Sequence, residues 1–151
     1  MDVSVHAQII NLALEIQQQL GLAYLFISHD LGIIRHFSQH IVLMYVGRVV
    51  EYGLAEAVFA RPRHPYTEAL MSNVPTTRPE SVGRKIILKG EPADPINPPP
   101  GCPFHPRCLC AEVVCALVVP PLEDVEPGHQ AACHFKTVLE LTGCNALACA
   151  L

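Results

Sequence analysis

Charged residues are scarce in this chain, and no basic stripe runs along it. Only 16% of the residues are charged, the formal net charge is -4, and 50% of the residues are hydrophobic. Such a composition can form a core, which excludes a disordered, solvating chain. The acidic balance also argues against nucleic-acid binding, because that binding depends on Lys and Arg contacts to phosphates.

Long hydrophobic runs are also missing. The longest, near residues 22–27 and 41–46, are far shorter than the roughly 18 residues that a membrane-spanning helix needs. The N-terminus lacks the basic-then-apolar pattern of a secretory signal. We therefore expect a chain that is neither secreted nor inserted directly in a membrane. Its seven cysteines are then better explained as reduced metal or cluster ligands than as disulfides.

The first part of the chain has the pattern of a helix, a strand and a second helix. Apolar residues at steps of three and four predict a helix over residues 3–20, which Asp2 can cap at its start and Gly21 at its end. The apolar run 22–27 has the length of a buried strand, and Asp30 can cap the short helix after it. This alternation predicts an α/β fold.

A hairpin and two short helices are predicted next. Residues 41–45 and 48–52 are rich in β-branched and aromatic side chains, and Gly47 lies between them. Short helices are expected at 55–59 and from the His-Pro-Tyr turn to about residue 72.

The composition changes after residue 72. Residues 73–83 form a polar connector, and 92–106 hold seven of the fourteen prolines, which is typical of an extended, semi-rigid segment. We therefore predict four parts: an α/β part over 1–72, the connector 73–83, a small cysteine-bearing extension over 84–135 and an apolar, helical tail over 136–151.

The predicted strand 22–27 ends in Ser28, His29 and Asp30. Ligands bind at the carboxyl ends of strands in open α/β sheets, so His29 is a candidate to contact a substrate. Three neighbouring residues do not form a nucleophile, base and orienting group in line, however. Taken alone, they are better explained as a capping serine and a surface histidine.

Four segments of the chain resemble motifs of ABC transporter ATP-binding subunits, specifically those of oligopeptide and dipeptide importers. Residues 2–8, Asp-Val-Ser-Val-His-Ala-Gln, are similar to the segment after the D-loop. Residues 24–31, Tyr-Leu-Phe-Ile-Ser-His-Asp-Leu, are similar to the H-loop. Residues 44–53 match the hairpin that follows it, and 60–67, Ala-Arg-Pro-Arg-His-Pro-Tyr-Thr, match a motif of the peptide-importer branch. The resemblance continues to His134.

This resemblance implies the C-terminal part of a P-loop NTPase domain, followed by a small irregular cysteine-bearing extension. His29 would be the catalytic switch histidine that contacts the γ-phosphate of ATP, which is bound with Mg²⁺ in the intact family protein. Asp2, Ser28 and Asp30 would lie at the nucleotide or dimer interface. An imidazole suits this role because it can hydrogen-bond to phosphate and water together.

The phosphate-binding motifs of the family are absent from the 151 residues. No Gly-x-x-x-x-Gly-Lys-Ser/Thr occurs, nor an apolar strand ending in Asp-Glu, nor a loop resembling Leu-Ser-Gly-Gly-Gln. We expect the chain to be the last part of a longer ATPase and to be inactive alone. The resemblance implies a cytoplasmic position at the inner face of the plasma membrane. The implied partners are permease subunits and a second ATP-binding subunit.

Four cysteines form a second candidate site, with the spacing Cys102-x5-Cys108-x6-Cys115-x17-Cys133. Four thiolates suit either tetrahedral zinc or an iron-sulfur cluster, although zinc ligands usually come in pairs two to four residues apart. The resemblance implies a [4Fe-4S] cluster on these four, with zinc as the alternative and Cys110 as a competing ligand. A rival function follows: a stand-alone iron-sulfur or zinc-binding module for interaction or redox sensing.

Overall fold

The structure, a computed structural model, describes residues 3–74 and 85–137, and the side chains of 8–74 and 85–137. The chain divides into two compact units, residues 1–38 (unit 1) and 39–151 (unit 2). Among the described residues, no helix is both long and apolar enough to cross a membrane. Asp2, most of the predicted connector and most of the predicted tail lie outside the described residues, so the four-part division stays a prediction.

Unit 1 begins with helix α1, Val3–Leu20, as its apolar periodicity predicts. Gly21 follows with a φ of 65°, and the N–H of Leu22 donates to the carbonyl of Gln17 at 3.2 Å. This hydrogen bond and the positive φ of Gly21 are features of the Schellman motif, which needs a left-handed residue and therefore favours glycine. The predicted end of the helix at Gly21 is confirmed. Helix α2, Leu31–Phe37, completes the unit.

The predicted strand 22–27 is wrong, because no strand is assigned there. The rings of Tyr24 and Phe26 pack on Phe37 with centroids 6.1 and 5.2 Å apart. Leu25 and Ile27 are 91% and 89% exposed. A strand requires a neighbour to pair with its backbone N–H and C=O groups, and the described residues of unit 1 contain no strand.

Unit 2 begins with the predicted hairpin, formed by β1, His40–Tyr45, and β2, Arg48–Leu54. The two strands pair antiparallel from His40 with Leu54 to Tyr45 with Arg48. Only Val46 and Gly47 connect them, and both have positive φ, 48° and 71°. Two successive left-handed residues match the type I′ turn, whose twist suits tightly connected antiparallel strands.

A β-bulge interrupts this hairpin. Leu43 pairs with Glu51, but the next residue, Met44, pairs with Val49, so Val50 is the extra residue on β2. Side chains alternate between the faces of a regular strand. Here Val50 and Glu51 are both buried, at 2% and 0% exposure. The bulge therefore allows a carboxylate to follow a core valine into the interior.

Two late segments extend the hairpin into a four-stranded antiparallel sheet in the order β1-β2-β4-β3. They are β3, Glu123–Glu126, and β4, His129–Ala131, and β4 pairs with β2 through Glu51 and Tyr52. The chain thus combines helices and strands as predicted, but its sheet is antiparallel. Residues 85–89 form no strand.

The remaining helices among the described residues of unit 2 are short. They are α3, Ala55–Ala60, α4, Pro65–Met71, and α5, Val113–Leu117, with a 3₁₀ turn at His105–Arg107. The predicted helices near 55–59 and before residue 72 are confirmed. Phe104, only 1% exposed, lies at the centre of an aromatic cluster, with its ring centroid 5.2 Å from Tyr45 and 5.4 Å from Tyr66. This cluster joins the hairpin to the cysteine-bearing segment.

Candidate functional site

The segment Ser28-His29-Asp30 is organised by local hydrogen bonds. Asp30 Oδ1 accepts from the N–H groups of Gly32 at 2.9 Å and Ile33 at 3.2 Å, and Ser28 Oγ accepts from the N–H of Asp30 at 3.0 Å. Asp30 is thus the N-cap of α2, as predicted. The carboxylate and hydroxyl both serve the backbone here, while the ring of His29 between them is exposed.

The four predicted cysteine ligands line a single cavity in unit 2. All four are free thiols; Cys102, Cys115 and Cys133 are buried, and Cys108 is half-buried. They come from separate places along the chain. Cys102 precedes the 3₁₀ turn, Cys108 follows it, Cys115 lies on α5 and Cys133 follows β4. His64, His105 and His134 also line the cavity.

Close backbone contact holds two of these segments together. The N–H of Cys102 donates to the carbonyl of Cys115 at 2.8 Å. The preceding Gly101 has a φ of 70°, and a Cβ at that position would lie 2.3 Å from the same carbonyl oxygen. Only glycine fits this approach without displacing α5. Gly101 therefore helps to set the spacing between Cys102 and Cys115.

Burial favours the protonated form of three of these thiols. It raises the pKa of Cys108 to about 12 and that of Cys133 to about 11, and the neighbouring cysteines add to both shifts. The pKa of Cys102 is also raised, mainly by burial. Backbone amides oppose these shifts by hydrogen-bonding to sulfur: Phe104 and His105 at Cys102, Cys110 at Cys108, and Phe135 at Cys133. Each of these sulfurs thus has a donor that would favour a thiolate.

The four thiols share a cavity without forming one ligand sphere. In the part of the chain that the structure describes, no group of three or more His, Cys, Asp or Glu side chains is placed to hold a metal ion. Cys110 is buried and lines the same cavity, but it is disulfide-bonded. It therefore offers no free thiol as the competing ligand considered above, and the expectation of reduced cysteines is wrong at this residue.

A buried carboxylate forms a third polar centre, which the sequence analysis did not identify. Glu51 is fully buried. Its Oε1 accepts from the N–H of Arg63 at 2.7 Å and lies 2.7 Å from His129 Nε2, and its Oε2 accepts from the N–H of His64 at 3.0 Å. A buried charge is tolerated only when it is paired and hydrogen-bonded in this way. Glu51 thus joins β2, the loop before α4 and β4.

The loop 61–64 makes a second connection to the late strands. Arg63 Nη2 lies 2.7 Å from Glu126 Oε1, and the more exposed Arg61 lies 3.7 Å from the same oxygen. The hydrogen bond from Arg63 lowers the pKa of Glu126. Arg63 is therefore half-buried and paired with a carboxylate rather than solvated.

His64 has a structural position inside this loop. Its Nδ1 accepts from the N–H of Tyr66 at 3.1 Å, so His64 is the N-cap of α4. Burial lowers the pKa of His64 from 6.5 to about 4. The sequence signals for this centre are Glu51, which lies between apolar and aromatic residues of β2, and the Arg-His-Pro motif that begins twelve residues later.

Comparison with known proteins adds independent information. Residues 50–115 match the family described as oligopeptide/dipeptide transporter, C-terminal region. The chain is 47% identical over 137 residues to the oligopeptide transport ATP-binding protein AppF of Bacillus subtilis, covering 89% of the chain and 42% of that relative. It is 46% identical over 133 residues to the dipeptide transport ATP-binding protein DppF of Escherichia coli, covering 88% and 40%.

The chain is thus 46–47% identical to several peptide-importer ATP-binding proteins over about nine tenths of its own length. It spans about two fifths of the length of the curated relatives that it matches, from 38% to 42%. The family match includes β2 from Val50 onward, the loop 61–64 and three of the four predicted cysteine ligands, and it ends at Cys115. The peptide-importer resemblance that the motifs indicated is thus confirmed over most of the chain.

Proposed function

We propose that this chain is the C-terminal portion of an ATP-binding subunit that energises peptide import by an ABC transporter. The supporting observation is the 46–47% identity to oligopeptide and dipeptide transport ATP-binding proteins along nearly nine tenths of the chain. We further propose that the intact protein binds ATP and Mg²⁺, pairs with a second ATP-binding subunit, and docks on permease subunits at the cytoplasmic face of the membrane.

In this proposal, His29 is the residue that contacts the γ-phosphate and positions the attacking water. The local geometry is suitable because Ser28 and Asp30 fix the backbone on both sides of His29 by hydrogen bonds within the segment. The imidazole stays exposed between them, where a nucleotide can reach it. Ser28, Asp30 and Asp2, which lies outside the described residues, are proposed to contribute to the nucleotide or dimer interface.

A chimera tests this function. The C-terminal region of the Escherichia coli dipeptide relative is replaced by residues 2–137 of this chain, and the ATPase rate is measured in the purified protein. We expect activity within about tenfold of the parent, and a loss of roughly 10²- to 10⁴-fold for His29→Ala. His36→Ala is the matched control, since His36 is also exposed, on α2. Equal activity of the two variants would remove His29 from catalysis.

We also propose that Cys102, Cys108, Cys115 and Cys133 hold a [4Fe-4S] cluster. What supports it is the donor chemistry: four free thiols line one cavity, and backbone amides hydrogen-bond to three of the sulfurs. In such a cluster each thiolate binds a different iron, so the sulfurs surround the cluster and need not converge on one point. When bound, the cluster would supply one-electron redox chemistry.

Anaerobic reconstitution with iron and sulfide tests the cofactor. We expect a brown protein with about four irons per chain, and a clear loss of bound iron in Cys115→Ser. Zinc is the alternative, and metal analysis of the protein as purified distinguishes the two. A colourless protein with one tightly bound zinc would replace the cluster with a mononuclear site.

A further inference from the structure

The segments that bind Glu51 also form walls of the cysteine cavity. His129 lies in β4, and the chain continues through Ala132, whose N–H donates to the carbonyl of Val50 at 2.8 Å, to the cavity residue Cys133. His64 donates its own N–H to Glu51, and its ring lines the cavity. One carboxylate therefore contacts two separate segments that each contribute residues to the cavity wall.

The packing around His64 strengthens this connection. Its ring centroid lies 5.7 Å from that of Phe104, which also lines the cavity beside Cys102. His64 is 1% exposed and Phe104 is also 1% exposed. Two buried rings in contact leave little room for independent movement, because protein interiors are close-packed. If Phe104 moves, we therefore expect His64 and the loop that binds Glu51 to move with it.

The outer end of the loop is attached to the same strands. Arg63, which donates its backbone N–H to Glu51 Oε1, donates a side-chain N–H to Glu126 at the end of β3. The loop 61–64 is consequently bonded to β2 and β3, while Glu51 also bonds to β4, which leads to Cys133. These hydrogen bonds connect the loop to the cavity wall through Glu51.

We propose that Glu51 is a positioning residue: through its hydrogen bonds, the binding of a ligand in the cysteine cavity restrains the β1–β2 hairpin and the loop 61–64. A ligand bound by the four thiols fixes Cys133 and hence β4 against β2. The hydrogen bonds of Glu51 carry this restraint to the loop 61–64 and the start of α4. The inference rests on the cofactor proposed above and adds a route by which that cofactor controls the neighbouring fold.

Hydrogen exchange on the full chain tests this route. Exchange of the Arg63, His64 and Ala132 amides is compared before and after anaerobic loading with iron and sulfide. In the unaltered protein we expect loading to slow the exchange of all three by roughly tenfold or more. Loading confirmed by iron analysis, with unchanged exchange at Arg63 and His64, would overturn the route while leaving the cofactor intact. A chain that takes up no iron overturns both.

Two variants isolate the carboxylate. Glu51→Gln keeps the size of the side chain but removes its charge, and we expect it to load iron with less than about twofold protection at Arg63 and His64. If Glu51→Gln does not fold, as judged by circular dichroism, His129→Gln replaces it. That variant removes only the β4 partner, and we expect protection at Ala132 to fall with it. If a folded variant loads iron and gains the same protection as the unaltered protein, Glu51 does not have the proposed role.

A matched control shows whether the effect depends on position. Glu91→Gln makes the same chemical change at an exposed glutamate outside any helix or strand. We expect this control to load iron and gain the full protection of the unaltered protein. Loss of protection in Glu91→Gln as well would indicate a general effect of charge and would also overturn the proposal.

Discussion

Unit 1 leaves Leu25 and Ile27 91% and 89% exposed, whereas unit 2 buries even a carboxylate, Glu51, to 0% exposure. The difference follows from partners available within each unit. Glu51 receives hydrogen bonds from a loop twelve residues away and from a histidine 78 residues away. In the described part of unit 1, the apolar run 22–27 has no strand to pair with. A strand-like sequence becomes a strand only where a neighbour completes its backbone hydrogen bonds.

The substitution with the largest expected effect on stability removes the buried carboxylate of unit 2. Glu51→Ala leaves His129 and two backbone N–H groups without their acceptor, so we expect the free energy of unfolding to fall by about 3–5 kcal/mol. Urea denaturation measures it. Glu91→Ala is the control and should stay within about 0.5 kcal/mol of the unaltered protein. Equal effects would mean that the Glu51 contacts do not stabilise unit 2.

The second test uses pH. Burial lowers the pKa of His64 from 6.5 to about 4. Between these values the unfolded chain takes up a proton that the folded chain refuses, so the stability contributed by neutral His64 is present above pH 6.5 and is lost as the pH falls toward 4. The loss reaches at most about 3 kcal/mol.

His64→Asn isolates this titration, because asparagine can still act as the N-cap of α4. Urea denaturation of both proteins at pH 7, 5.5 and 4 gives the comparison. We expect the variant to have the shallower decline, since its unfolded chain has one fewer histidine to protonate. If the free energy of unfolding falls equally with pH in both proteins, groups other than His64 cause the loss of stability in acid.

A smaller effect concerns the close contact at Gly101. Gly101→Ala places a Cβ 2.3 Å from the Cys115 carbonyl oxygen. Gly90→Ala is a matched control, since Gly90 has a similar φ of 74° with nothing within 4 Å of the added carbon. Both substitutions place a side chain at positive φ, where glycine is favoured. Only Gly101→Ala also adds a clash, which should lower the free energy of unfolding by about 1–3 kcal/mol more. Thermal unfolding of both variants measures the difference.

The smallest expected effect is in unit 1. Leu25→Ala should change the free energy of unfolding of this chain by no more than about 0.5 kcal/mol, because the side chain is already in solvent. The same substitution at Leu43 in β1, which is 7% exposed, should cost about 2–5 kcal/mol. A large loss at Leu25 would show that unit 1 buries this run in solution and would remove the contrast.

Local signals predicted the local elements well. The ends of α1 and α2 followed from Gly21 and Asp30, and the hairpin followed from two β-rich runs around Gly47. Each depends on residues close in sequence, where propensity and turn chemistry decide the outcome. The run 22–27 failed for the opposite reason. Its apolar character is compatible with a strand, but strand formation depends on residues that are not neighbours in the chain.

The candidate sites divide in the same way. Spacing and resemblance identified Cys102, Cys108, Cys115 and Cys133, and these thiols do line one cavity. The Glu51 centre was missed because its partner His129 belongs to a late strand whose pairing with β2 has no local signal. The pair of Arg63 and Glu126 was missed for the same reason, since Glu126 lies 63 residues further along the chain. Long-range polar pairs need the register of the sheet, which the sequence pattern alone does not provide.

The bulge at Val50 has a consequence for how this hairpin can vary among relatives. Deleting Val50 would restore regular pairing, with Val49 opposite Met44 and Glu51 still opposite Leu43, so the carboxylate would stay on the buried face. The deletion would instead remove a core side chain that is 2% exposed and the carbonyl that accepts from the N–H of Ala132. Natural deletions at this position should therefore be rare because of the contact with β4.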